Sequence, residues 1–172
     1  MIGRYSPAVA LETFASPLRN IKLSLDGTGL IADLIPSVTL DSEVQIGGFS
    51  DDPDVEAELQ SVFGKGRPIV EGDRVFRLEF DAVQAVVIQE EFVDLFNVLA
   101  AELDNLPKIP DAKGAFPFLV AEESEWRSRL PDYQGGDDPE LKHFKIFSME
   151  TQVDILGRLA GFEWVRNSSG VD

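Results

Sequence analysis

A chain of 172 residues with 31 Asp plus Glu against 15 Lys plus Arg has a formal charge of −16, which repels phosphate backbones and anionic lipid and so excludes nucleic acid and membrane surfaces as partners. The lack of cysteine excludes thiol chemistry, disulfides and cysteine-held zinc, and no apolar run approaches the roughly 18 residues of a membrane span. A hydrophobic content of 44%, with twelve Phe, belongs to a folded domain rather than an acidic tail, and no export signal is visible, so one cytoplasmic domain over 1–172 is expected.

Pro7 and Pro17 confine any helix over Ala8 to Ala15 to a short piece. From Asn20, the alternation of Ile21, Leu23 and Leu25 with Lys22, Ser24 and Asp26 predicts a half-buried strand. Asp26-Gly27 then turns the chain into a return strand over Leu30 to Ile35, closed by Pro36, with further extended chain through Val38, Leu40, Val44 and Ile46 to Gly47-Gly48. A helix is predicted next: Asp52 caps, Pro53 takes the first helical position, and Asp54 and Glu56 sit against the N-terminal dipole. Val55, Leu59, Val62 and Phe63 form its apolar stripe, and Gly64 ends it.

Val75 to Asp81 alternates as a strand, and a second, more apolar strand runs through Ile88. Phe92, Leu95, Phe96, Leu99 and Leu103 recur at helical spacing, predicting a second amphipathic helix near Glu90 to Asp104. Asn105 to Pro117 reads as a loop, Phe118 to Ala121 as a strand, and Pro131 to Pro139 as irregular chain. His143 to Met149, Gln152 to Leu156 and Phe162 to Val165 read as a terminal meander, with 167–172 a frayed tail. Strands clustered at both ends favour α+β: one domain, a mainly antiparallel sheet packed by two amphipathic helices.

The charges are segregated. No Lys or Arg lies between Lys22 and Lys65, nor between Arg77 and Lys108, so two long stretches are purely anionic. Halophilic solvation also yields acidic proteins, but it would spread the charge evenly. Carboxylates cluster at Asp51-Asp52-Asp54, Glu90-Glu91, Glu122-Glu123-Glu125 and Asp137-Asp138-Glu140, none with the alternating spacing around glycine that calcium loops use, so no metal or other cofactor is expected. Asp26-Gly27-Thr28-Gly29 matches no phosphate or protease motif and reads as a hairpin turn. Gly64-Lys65-Gly66-Arg67 reads as the end of a helix rather than a phosphate loop. His143, the single histidine, reads as an ordinary sheet residue rather than a general base.

Of the two tryptophans, Trp164 reads as core, whereas Trp126, among Glu122, Glu123, Glu125, Arg127 and Arg129, suits a contact surface. The chain is therefore read as a noncatalytic domain presenting an anionic face to a basic partner protein, with self-association also compatible. The contact residues would be Trp126, Glu122, Glu123, Glu125, Asp137, Asp138, Asp51, Asp54 and Glu58. In physical strategy, though in no motif, this is similar to bacterial immunity proteins and DNA mimics. Two alternatives stay open: a carboxylate-dependent hydrolase of a neutral or cationic small substrate, with or without a divalent ion, and a subunit of a larger assembly.

Overall fold

The computed structural model of the protein describes residues 4–27, 29–90, 106–112 and 114–167. Its strands are β1 (Tyr5–Pro7), β2 (Leu18–Asp26), β3 (Gly29–Thr39), β4 (Val44–Gln45), β5 (Lys65–Gly66), β6 (Ile69–Glu71), β7 (Arg74–Glu90), β8 (Phe118–Ala121), β9 (Lys142–Phe147) and β10 (Thr151–Arg166). The helices are α1 (Pro53–Phe63) and the single turn α2 (Glu125–Ser128), with 3-10 turns at Leu11–Thr13 and Asp132–Gln134.

One antiparallel sheet runs in the order β1-β8-β9-β10-β7-β3-β2, with β6 paired to the far end of β3. β4 and β5 form a separate ribbon. The β2–β3 hairpin closes with Asp26 opposite Gly29, and Gly27 supplies the positive φ of +60° that the tight turn needs. Gly29 has a second reason to be glycine: a Cβ there would lie 2.9 Å from the Phe80 carbonyl oxygen. β3 does not stop at Pro36. Pro36 stands opposite Leu18, where the β2–β3 register shifts between Leu18 and Asn20, and β3 continues to Thr39 by changing partner from β7 to β6.

The two longest strands, β7 and β10, carry the architecture. Each was expected as two strands and is one. Their register slips between Leu156 and Arg158, opposite a stretch of β7 in which Ala82 takes a φ of +48°, and the paired strands bend there. On one side of the bend, β7 and β10 continue into β3 and β2. On the other they continue into β9, β8 and β1. The two halves face each other across the core, where the Phe80 and Phe144 rings meet at 5.2 Å between centroids. At the sheet's outer end, Leu18 bridges to Ser148 in the β9–β10 turn, and Met149 N–H donates to the Leu18 carbonyl, so β2 is drawn round toward the opposite half.

The filling is aromatic. Phe14, on the segment between β1 and β2, is fully buried and meets Phe76 and Phe116 edge-on at 5.2 and 5.4 Å. Phe118 stacks on Phe144, while Leu30, Ala32, Leu34, Leu78, Val153 and Ile155 complete the wall from both halves.

The α+β expectation is corrected: this is a mainly antiparallel β fold that is not packed by two amphipathic helices. α1 forms where the sequence places it, with the Asp52 carboxylate accepting from Asp54 and Val55 N–H at 3.0 and 3.4 Å. None of its residues is buried, however, and it lies against the β4–β5 ribbon rather than the main sheet. The bent sheet supplies both walls of the described core from its own strands, and α1 is not one of its layers. The second predicted helix, near Glu90 to Asp104, lies outside the described residues beyond Glu90, which ends β7, and the tail expected over 167–172 lies outside them from 168 on.

Candidate functional site

Among the described residues, two places stand out for side-chain chemistry that the core does not require. The first is the outer face of β9 and β10. Strand alternation turns Phe144 and Ile146 inward and His143 and Lys145 outward, and the antiparallel register sets Lys145 opposite Asp154. After β8 the chain crosses over this face, and Ser124 begins α2 as its N-cap. Ser124 Oγ lies 3.0 Å from His143 Nδ1, and His143 Nε2 lies 2.9 Å from Asp154 Oδ1. Lys145 Nζ and Gln152 Nε2 donate to Asp154 Oδ2 at 3.2 and 3.1 Å. Trp126 covers one face of the imidazole, with ring centroids 4.7 Å apart and planes 6° from parallel.

Asp154 is a buried carboxylate with 5% exposure. Burial pushes its pKa up, but the hydrogen bond from His143, the charge of Lys145 and the Gln152 amide together outweigh that and hold it below the usual carboxylate value. An ionised Asp154 accepts from Nε2–H, and in the neutral imidazole that tautomer leaves Nδ1 as an acceptor for the Ser124 hydroxyl. Sequence reading missed this series and took His143 as an ordinary strand residue.

The second place is the arm between β3 and β6. It is a self-contained unit: β4 and β5 pair, Ile46 N–H donates to the Gly64 carbonyl, and Glu56 on α1 gathers the loop before the helix. The Glu56 carboxylate accepts from Gly48 N–H and Ser50 N–H, both at 2.8 Å, and from Gln60 Nε2 at 2.7 Å. Chiefly through the Gly48 N–H, these bonds hold its pKa below the ordinary value. Nine of the fifteen exposed large apolar side chains among the described residues fall between Val38 and Ile69, including Phe49, Val62 and Phe63. They lie among Asp41, Glu43, Asp51, Asp52, Asp54, Glu56 and Glu58, with no cation before Lys65.

The expected contact residues divide between these places. Glu122, Glu123, Glu125 and Trp126 lie on the segment crossing β9, and Arg127 Nη2, donating to the Asp138 carbonyl at 3.0 Å, brings Asp137 and Asp138 to the same side. Asp51, Asp54 and Glu58 lie on the arm, beyond β3, with β7 and β10 between that strand and β9 in the sheet. Trp164 packs against the core and takes Arg74 over its ring at 5.2 Å. Among the described residues, no three His, Asp or Glu side chains are grouped as metal ligands would be, and no helix is long and apolar enough to cross a membrane. A cavity of about 330 Å³ opens at the bend of β10, lined by Val120, Phe144 and Leu159 with Glu140, Lys142 and Arg158 on its rim. Its cation Arg158 is held by Asp81 in a two-pronged pair at 2.6 and 3.0 Å.

Comparison with protein-family models, curated proteins and solved structures finds no match to this chain.

Proposed function

We propose that the protein binds a basic, amphipathic protein surface through the arm between β3 and β6. The observation that carries this reading is the coincidence, on one unit outside the core, of solvent-facing Phe49, Val62 and Phe63 with seven carboxylates and no cation before Lys65. Apolar side chains exposed together raise the free energy of the free protein, and burying them against a partner recovers it. Asp52 and Glu56 are spent on the helix cap and the loop, and the other carboxylates of the same segment select a cationic partner and speed the encounter. The long anionic stretch and the exposed apolar positions thus serve one purpose. Trp126 and its neighbouring glutamates are not needed for it, since one face of that ring is already spent on His143.

The test is titration with a designed amphipathic helical peptide whose polar face is all lysine, at low and at high salt, against the natural chain and against the charge-neutral double variant Val62→Ser, Phe63→Ser. Binding that weakens with salt and falls at least about tenfold in the variant supports the reading. Equal binding by both proteins reduces the effect to general attraction by net charge and defeats it.

A further inference from the structure

Independently of the arm, the outer face of β9 and β10 holds a nucleophile, a base and a carboxylate hydrogen-bonded in series, and we infer that Ser124 is the nucleophile of an ester-hydrolysing site. Ser124 Oγ stands 3.0 Å from His143 Nδ1, and His143 Nε2 stands 2.9 Å from Asp154 Oδ1. A hydroxyl within reach of a base that a third group orients is the arrangement that turns a weak nucleophile into a strong one. The two imidazole nitrogens are alternative acceptors, so an acid on Nε2 and a serine on Nδ1 perform the same proton transfer as the reverse order.

Three features go beyond what packing requires. As an N-cap, Ser124 uses only an oxygen lone pair, accepting from Arg127 N–H at 3.3 Å, so the cap makes no use of the hydroxyl proton that His143 is placed to take. The flat stack of Trp126 on His143 fixes the ring so that Nδ1 stays aimed at Ser124. The base and the carboxylate are both shielded, with side-chain exposures of 11% for His143 and 7% for Asp154, while Ser124 is half-buried on the segment that crosses them, so a substrate meets the serine first. Asp154, held by Lys145 and Gln152, is a positioning residue.

Exposed Glu122 and Glu123 precede the serine and disfavour anionic substrates, while Glu125 is paired with Arg129 at 3.2 Å, so the substrate class is a neutral or cationic carboxylic ester. In the first half-reaction Ser124 Oγ bonds to the ester carbon as its proton passes to His143 Nδ1. The carbon–alkoxy bond then breaks and the leaving alcohol takes that proton. In the second half-reaction water gives a proton to Nδ1 and attacks the acyl group. The acyl–Oγ bond breaks, Ser124 recovers the proton and the carboxylic acid departs.

The test uses the full chain with a fluorophosphonate probe and with p-nitrophenyl acetate, mapping any adduct by peptide mass spectrometry. Exposed Ser128, four residues on in the same segment, is an internal control that needs no variant. Labelling of Ser124 over Ser128 by at least about 100-fold, with a matching loss of rate and of p-nitrophenolate release in His143→Gln, is the expected result. No adduct, equal labelling of the two serines, or an unchanged rate in a folded His143→Gln protein overturns the assignment. If His143→Gln does not fold, the ratio of the two serines in the natural chain decides alone.

Discussion

The imidazole of His143 lies flat on the indole of Trp126, 4.7 Å between ring centroids, and this contact fastens the segment after β8 to the outer face of the sheet. Ser124 and Trp126, two residues apart, hold the same imidazole by its edge and by its face. Replacing Trp126 by Ala removes the stack and bares half-buried surface. A stability loss of about 1–3 kcal/mol is expected in urea titration. Hydrogen exchange separates this from a general loss of packing: amides of 122–141 should lose protection while those of β3 and β7 keep theirs.

Asp154 makes the fold acid-sensitive. Its folded-state pKa is depressed, so the stability it contributes is fully present above the unfolded-state value near about 4 and is lost as pH falls through the folded value. Asp154→Asn removes the charge that Lys145 and His143 were placed to meet. Breaking a buried pair from one side costs about 3–5 kcal/mol. The variant should therefore be less stable at neutral pH by that order and should show a flatter decline in stability between pH about 5 and 2. Urea midpoints measured across that range check both statements. A decline as steep as the natural chain's would place the acid sensitivity elsewhere.

Local signals carried the parts of the fold that the sequence made legible. Asp52-Pro53 and Gly64 bound α1, and Phe118 to Ala121 is a four-residue apolar run with turn residues on either side; both elements occur as read. The errors came where tertiary structure overrode punctuation. Asp81-Ala82 and Gly157 look like strand ends, but in β7 and β10 they are the bulged bend of continuous strands. The packing of α1 on the sheet was inferred from its apolar stripe, and that stripe faces the arm and solvent instead. The Ser124–His143–Asp154 series was illegible residue by residue because its members lie 19 and 11 positions apart. One signal was nevertheless available. Folding β9 and β10 as a hairpin about Met149 and Glu150 puts Lys145 directly opposite Asp154 and His143 on the same face, which already singles out a charged cluster.

Phe14 precedes the first long strand and yet stands at the centre of the aromatic cluster, touching Phe76, Phe116 and Trp164. The segment between β1 and β2 is thus part of the core and not a leader to it. Phe14→Ala leaves a cavity bounded by Phe116 and by the Phe76 and Trp164 rings of the two long strands, which cannot collapse into it without bending further. A loss of about 3–5 kcal/mol is expected by denaturant titration. A loss below about 1 kcal/mol would mean that the N-terminal segment can be peeled away, in which case deleting residues 1–16 should leave a folded protein.

Glu56 separates the stability of the arm from that of the sheet. Its carboxylate holds Gly48 N–H and Ser50 N–H, both on the loop that carries Phe49, and Phe49 in turn sits 6.4 Å from Phe63 on α1. None of these groups touches the aromatic core, so Glu56→Ala should leave the thermal midpoint within about 2 °C of the natural chain while freeing the loop. Limited proteolysis with an enzyme that cuts after Phe then becomes the readout, and cleavage at Phe49 should speed up before any site in β7 is cut. If arm binding depends on a preorganised surface, the same variant should bind the lysine-faced peptide more weakly through slower association or faster release, although the residues exposed are unchanged apart from one carboxylate. A fall in the thermal midpoint as large as that of Phe14→Ala would instead make the arm part of the cooperative core.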